Sequence, residues 1–62
     1  MKIIRKTYYN KERTNDIMIC ENITDFYGGK IVEFLNSEIM FYSTFEYELV
    51  SDGYVLFVSA FK

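Results

Sequence analysis

The 62-residue chain has no histidine and a single cysteine, Cys20. Without histidine, the base that usually activates a serine or cysteine nucleophile is missing. The common zinc and haem ligand sets are missing too, because they draw on several Cys and His residues. One cysteine cannot close an internal disulfide, which fits a reducing, intracellular setting. Cys20 itself is expected as a small buried hydrophobe rather than a reactive thiol. No apolar run approaches the roughly 20 residues of a membrane helix. The start, Met1 to Lys6, carries the charge of a signal peptide without the apolar stretch that should follow it. No internal repeat, linker or low-complexity stretch is visible. These absences set the expectation of a soluble, cytoplasmic, non-enzymatic protein with no metal, cofactor or membrane partner.

What is present is apolar. Half the residues are hydrophobic and 19% are aromatic, too many for a disordered chain. Residues 1–62 are expected to form one compact domain, close to the lower limit for folding without staples. Oligomerisation or a bound partner would help so short a chain, and a homodimer is one form this could take. The net charge of −2 hides an asymmetry. Residues 1–14 hold five bases against one acid, whereas residues 15–62 hold two bases against eight acids. A basic front end sits on an acidic body.

The C-terminal stretch, residues 44–61, reads as two strands joined at Asp52-Gly53, a dipeptide suited to a type I′ hairpin turn. In that register Phe45, Tyr47, Leu49, Leu56, Val58 and Ala60 share an apolar, core-facing surface. Glu46, Glu48, Val50, Val55, Phe57 and Phe61 fall on the opposite, mixed face. Earlier in the chain, residues 2–9 and 17–21 read as a first hairpin, with the polar run 10–16 as the loop at its tip. Residues 38–42 are strand-like again.

Residues 24–37 carry the helix signal. Thr24 can cap it, Asp25 suits its first turn, and Ile23, Tyr27, Ile31, Phe34 and Leu35 fall on one side at helical spacing. Gly28 and Gly29 count against a helix by about 1 kcal/mol each relative to Ala. Read as a hairpin turn instead, they give the alternative of an all-β, five-stranded small barrel. The glycines could also let the helix approach a sheet closely. The favoured reading is α+β: a small antiparallel sheet, β-β-α-β-β, with one amphipathic helix packed on one face.

Chemistry is sparse. Glu46 and Glu48 are paired carboxylates on one strand face with no third group to orient a substrate. Gly28-Gly29-Lys30 lacks the spacing and trailing hydroxyl of a phosphate loop. Two surfaces remain. The first is the outer hairpin face, Val55, Phe57 and Phe61, with Glu46, Glu48 and Asp52 as an acidic rim, a pattern that suits a protein partner. The second is the basic-aromatic front, Arg5, Lys6, Tyr8, Tyr9, Lys11 and Arg13, which could stack bases and neutralise phosphates. The acidic remainder places nucleic acid second.

In style the chain is similar to the very short standalone proteins encoded by phages and mobile elements: one compact domain, many aromatics and no catalytic set. That resemblance implies a module that binds and blocks a host protein. The expectation is therefore a small protein-binding module, an inhibitor of that type, with a nucleic-acid-binding protein as the alternative. A third reading is an accessory subunit that pairs through an exposed strand edge.

Overall fold

A computed structural model of the chain describes residues 1–10, 12–39 and 43–59. Four strands and one helix follow in the order β1 (Lys2–Tyr9), β2 (Glu12–Arg13), β3 (Ile17–Cys20), α1 (Asp25–Ser37) and β4 (Phe45–Val50). The fold is α+β, one helix packed against a four-stranded antiparallel sheet that does not close into a barrel. β1 is the central strand. It pairs with β2 and β3 on one side and with β4 on the other.

The first hairpin is tighter than the polar run suggests. Tyr9 pairs with Glu12, and Asn10 takes a left-handed φ of 51°, a conformation Asn tolerates at turns. Glu12–Arg13 is therefore strand rather than loop. Further along, Ile3 pairs with Cys20 and Ile4 with Met18, so Ile19 is an extra, bulged residue.

Opposed residues in an antiparallel pair put their side chains on the same face. β4 runs beside β1 with Leu49 opposite Ile3, Tyr47 opposite Arg5 and Phe45 opposite Thr7. These residues share the helix face, because a Cβ built on Gly28 would lie 2.5 Å from a Leu49 methyl. Ile4, Lys6, Glu48 and Val50 face the other way. Ile3 and Ile4 are adjacent, point to opposite faces and are both 0% exposed, so both faces of β1 are covered.

The helix covers one face. Thr24 caps it in extended backbone, its hydroxyl accepting from Tyr27 N at 3.4 Å and its carbonyl from Gly28 N at 2.7 Å. At the other end Glu38 closes the last turn onto Leu35 O and Asn36 O. Glu38 is thus a helix cap rather than the start of a strand, and residues 40–42 of that expected strand lie outside the described residues. Close approach to Leu49 is possible because position 28 is glycine.

The C-terminal hairpin is corrected. Asp52-Gly53 does form a turn, with Tyr54 N donating to Ser51 O at 3.0 Å. No glycine has positive φ, and Asn10 and Asn22 are the only other described residues that do. The turn is therefore not type I′, which needs positive φ at both central residues. Turns without it twist against the sheet and splay the flanking segments. Residues 54–59 leave β4 and cross to the far side of β1, where Asp16 N donates to Phe57 O at 2.9 Å. Leu56 and Val58 consequently do not join the Phe45, Tyr47, Leu49 face, and Ala60 lies outside the described residues.

Candidate interaction surface on the helix

The helix has two apolar sides, and the smaller one points inward. Gly28 is buried, and Val32 and Leu35, four and seven residues on, are half-buried against the sheet. Asn36 adds a polar clasp on that side. Its Oδ1 accepts from Tyr47 N at 2.9 Å and its Nδ2 donates to Tyr47 O at 3.0 Å. Leu35 and half-buried Ile23 behave as the spacing predicts. Tyr27, Ile31 and Phe34 do not, because the close contact at Gly28 turns the glycine side toward the sheet and these rings outward.

The outer side is aromatic. Phe26, Tyr27 and Phe34 are 62%, 63% and 64% exposed, and Ile31 is 40% exposed. Tyr27, Ile31 and Phe34 follow the i, i+4, i+7 spacing that aligns side chains along one helical stripe. Phe26 meets Tyr27 edge-on with centroids 5.2 Å apart, and Lys30 Nζ lies 4.9 Å from the Phe26 centroid. Glu33 lies exposed beside Phe26, Glu38 caps the end of the stripe, and exposed Lys30 lies between Phe26 and the stripe, so the border carries both signs of charge. The missed signal was the glycine pair: a helix with large rings on one side and glycine on the other packs most closely through glycine.

The outer hairpin face expected from the sequence is not assembled. Glu46 is exposed on β4, whereas Glu48 is ion-paired with Lys6, with Lys6 Nζ donating to Glu48 Oε2 at 3.0 Å. That hydrogen bond, opposed by partial burial, raises the Lys6 pKa above its ordinary value. Asp52 pairs with the Met1 amine at 2.9 Å. Val55 is 84% exposed, and Phe57 is tied into the far-side segment by its backbone and by Arg13, whose guanidinium carbon lies 4.5 Å from its ring centroid. Phe61 lies outside the described residues.

The basic front is likewise divided. Alternation puts Lys6 and Tyr8 on one face of β1 and Arg5 and Tyr9 on the other. Lys6 answers Glu48 and Arg13 answers Asp16, while Arg5 lies over the Phe45 ring. Tyr9 is exposed and Tyr8 half-buried, and Lys11 lies outside the described residues. These groups do not form one phosphate-tracking surface.

Asp16 is the polar residue that sequence reading passed over. Its side chain is 0% exposed, and its carboxylate accepts from Arg13 at 2.9 Å, Tyr54 Oη at 2.6 Å and Phe57 N at 2.8 Å. Burial alone would raise its pKa. The hydrogen bonds from Tyr54, Phe57 and Arg13, with the Arg13 charge, outweigh burial and hold it below the ordinary aspartate value. Cys20 is half-buried rather than buried, opposite Ile3.

The strand edges are poorly suited to a partner strand. The Tyr47 amide and carbonyl on the outer edge of β4 are taken by Asn36, and β3 carries the bulge at Ile19, a common way of blunting an edge. Among the described residues no three His, Cys, Asp or Glu side chains gather as a metal site, and no helix is long and apolar enough to cross a membrane. No family model, curated protein or solved structure matches the chain.

Proposed function

We propose that the protein is a non-enzymatic protein-binding module that lays the outer side of α1 into an apolar groove on a partner protein. The observation that carries this reading is the stripe of Tyr27, Ile31 and Phe34 flanked by Phe26, exposed on a helix whose other side is already packed. Helix-in-groove recognition uses this i, i+4, i+7 set of apolar anchors. Large aromatic side chains left in water on a small domain also supply the anchors that dominate interface energies. Glu33, Glu38 and Lys30 border the stripe, so the partner is expected to be apolar in its groove and of mixed charge at its rim. Occupying such a groove is enough to block a partner's own ligand, which is how the module would act as an inhibitor of a host protein. The single thiol, Cys20, fits work in a reducing cytoplasm.

A photo-reactive residue at position 34, with one at the exposed position 46 as control, identifies the partner by site-dependent cross-linking. Affinity is then measured with purified partner. Tyr27→Ala and Phe34→Ala should each weaken binding about 30-fold or more, the size expected of an interface hot spot. Glu33→Lys, at the rim, should change it much less. A partner that binds both alanine variants at full affinity overturns the reading. Cross-linking only to a second copy would make the occupant the chain itself.

A further inference from the structure

Arg5 is a half-buried cation with no carboxylate partner among the described residues. Lys6 and Arg13 each meet a carboxylate. Arg5, half-buried on the central strand, meets none among the described residues, although the chain holds nine acids against seven bases. Its guanidinium carbon lies 5.1 Å from the Phe45 ring centroid, and its Nε is buried without a hydrogen-bond partner. A donor removed from water without an acceptor is costly.

Arg5 borders an open depression of about 560 Å³ that is also lined by Thr7, Thr14, Asn15, Ile17 and Ser59. Thr7 follows Arg5 by two residues on the same face, and its hydroxyl is buried without a partner. Thr14 N and Thr14 Oγ1 both donate to Thr7 O, at 2.8 and 3.0 Å, which fixes the two walls against each other. Ile17 sits opposite Arg5 in the β1–β3 register and supplies an apolar wall. A smaller neighbouring cleft of about 240 Å³ contains Arg13 and Glu12, but Arg13 is already taken by Asp16, so it offers no spare positive charge.

The geometry points to the Arg5 depression as a binding site for a carboxylate carrying a small apolar body. A planar guanidinium suits a carboxylate, which it can engage with two parallel hydrogen bonds. One cation among neutral hydroxyl and amide groups balances one negative charge, whereas a phosphate dianion would bring more charge than the walls answer. The body of the ligand would rest on Ile17. This site is separate from the outer side of α1 and stands or falls independently of it. The carboxylate could belong to a free acid or to the C-terminus of a peptide.

The test is an NMR titration of the full chain with propionate, with the tripeptide Ala-Ala-Ala as free acid and as amide, and with sulfate. Propionate and the free-acid tripeptide should give saturable shifts at Arg5 Nε–H, Thr7 and Ile17, and the amide should give none. Tighter binding of the tripeptide assigns the carboxylate to a peptide terminus, and equal or tighter binding of propionate assigns it to a free acid. Arg5→Gln should weaken the carboxylate about tenfold or more, the loss of a hydrogen bond to a charged group, with the remaining amide spectrum preserved. Thr7→Val, which keeps the side-chain shape, should weaken it about threefold or more. No saturable shift in the wild-type chain overturns the proposal. So does sulfate binding as tightly as propionate, or full affinity in both variants.

Discussion

The two faces of β1 are covered by different physics. Ile3 is buried under a helix that satisfies its own backbone and rests on the sheet through Gly28, Val32 and Leu35. Ile4 is buried on the face crossed by a segment with no strand ladder, held by a carboxylate, a guanidinium and a phenol. Both residues reach 0% exposure. Apolar packing is non-directional, so the helix side has many small contributions and no single point of failure. On the far-side segment one acceptor gathers several of the contacts, beside the Asp16 N–Phe57 O and Ser59 N–Asn15 Oδ1 hydrogen bonds. Phe57 N and Tyr54 Oη both donate to Asp16 Oδ2, and Arg13 closes over it. Removing that one group should release most of what it holds.

Asp16→Ala is therefore the largest expected effect. It strands a guanidinium, a phenol and a backbone N–H, and breaking a buried ion pair from one side typically costs about 3–5 kcal/mol. In a domain this small that loss should leave most of the chain unfolded or residues 54–59 detached, read by thermal unfolding and by amide exchange at Val55 and Phe57. A cost under about 1 kcal/mol would show that packing rather than the carboxylate holds the segment. Acid tests the same contact without mutation. The folded pKa of Asp16 lies below its unfolded value, so its contribution is complete above the unfolded aspartate pKa of about 3.9 and is lost as pH falls through the folded value. Stability should fall with acid below about pH 4, and Asp16→Asn should flatten that dependence.

Gly28→Val addresses the helix side and should cost less. Even a single added carbon meets a Leu49 methyl at 2.5 Å and an Ile23 methyl at 3.3 Å, and valine adds two more carbons. Overpacking of this kind usually costs about 1–3 kcal/mol, with the helix lifting as a unit rather than one contact failing. Loss of the Asn36–Tyr47 hydrogen bonds, seen as faster exchange at the Tyr47 amide, should accompany it. An unchanged Tyr47 amide with unchanged stability would mean that the helix does not seat through Gly28.

Sequence periodicity made the helix face legible only in part, and the far face hardly at all. Strands at residues 2–9, 17–20 and 45–50 and the helix follow from local alternation, β-branched content and the Thr24 cap, each confined to a few neighbouring residues. The inner side of the helix depends on how deeply glycine lets it sit, and ring hydrophobicity pointed to the wrong side. The turn at Asp52-Gly53 was placed correctly, but its dihedral type decides whether the chain pairs or departs, and the dipeptide permits more than one type. Asp16 sits in a run of seven polar residues and meets Tyr54 38 positions later. No local pattern encodes that meeting. The outer hairpin face expected from the sequence is not assembled, and the exposed rings of Phe26, Tyr27 and Phe34 lie on α1 instead.

The smallest expected effect lies one residue from Gly28 and has the opposite sign. Gly29 is in the same helix, yet a Cβ built on it meets nothing within 4 Å. Its φ is not positive, so alanine fits the existing backbone. Glycine in a helix interior is worse than alanine by about 0.8–1.0 kcal/mol, because the unfolded chain has more freedom to lose and the helix gains no side chain. Gly29→Ala should therefore raise stability by up to about 1 kcal/mol, or roughly 4–8 °C in Tm for a domain this size. It should leave the outer stripe untouched, because position 29 lies off the line of Tyr27, Ile31 and Phe34, so partner affinity should not change. Differential scanning calorimetry of the two glycine variants side by side makes the comparison direct. If Gly29→Ala destabilises as Gly28→Val does, the helix is seated on position 29 as well, and the division into a packed inner side and an exposed outer side is wrong.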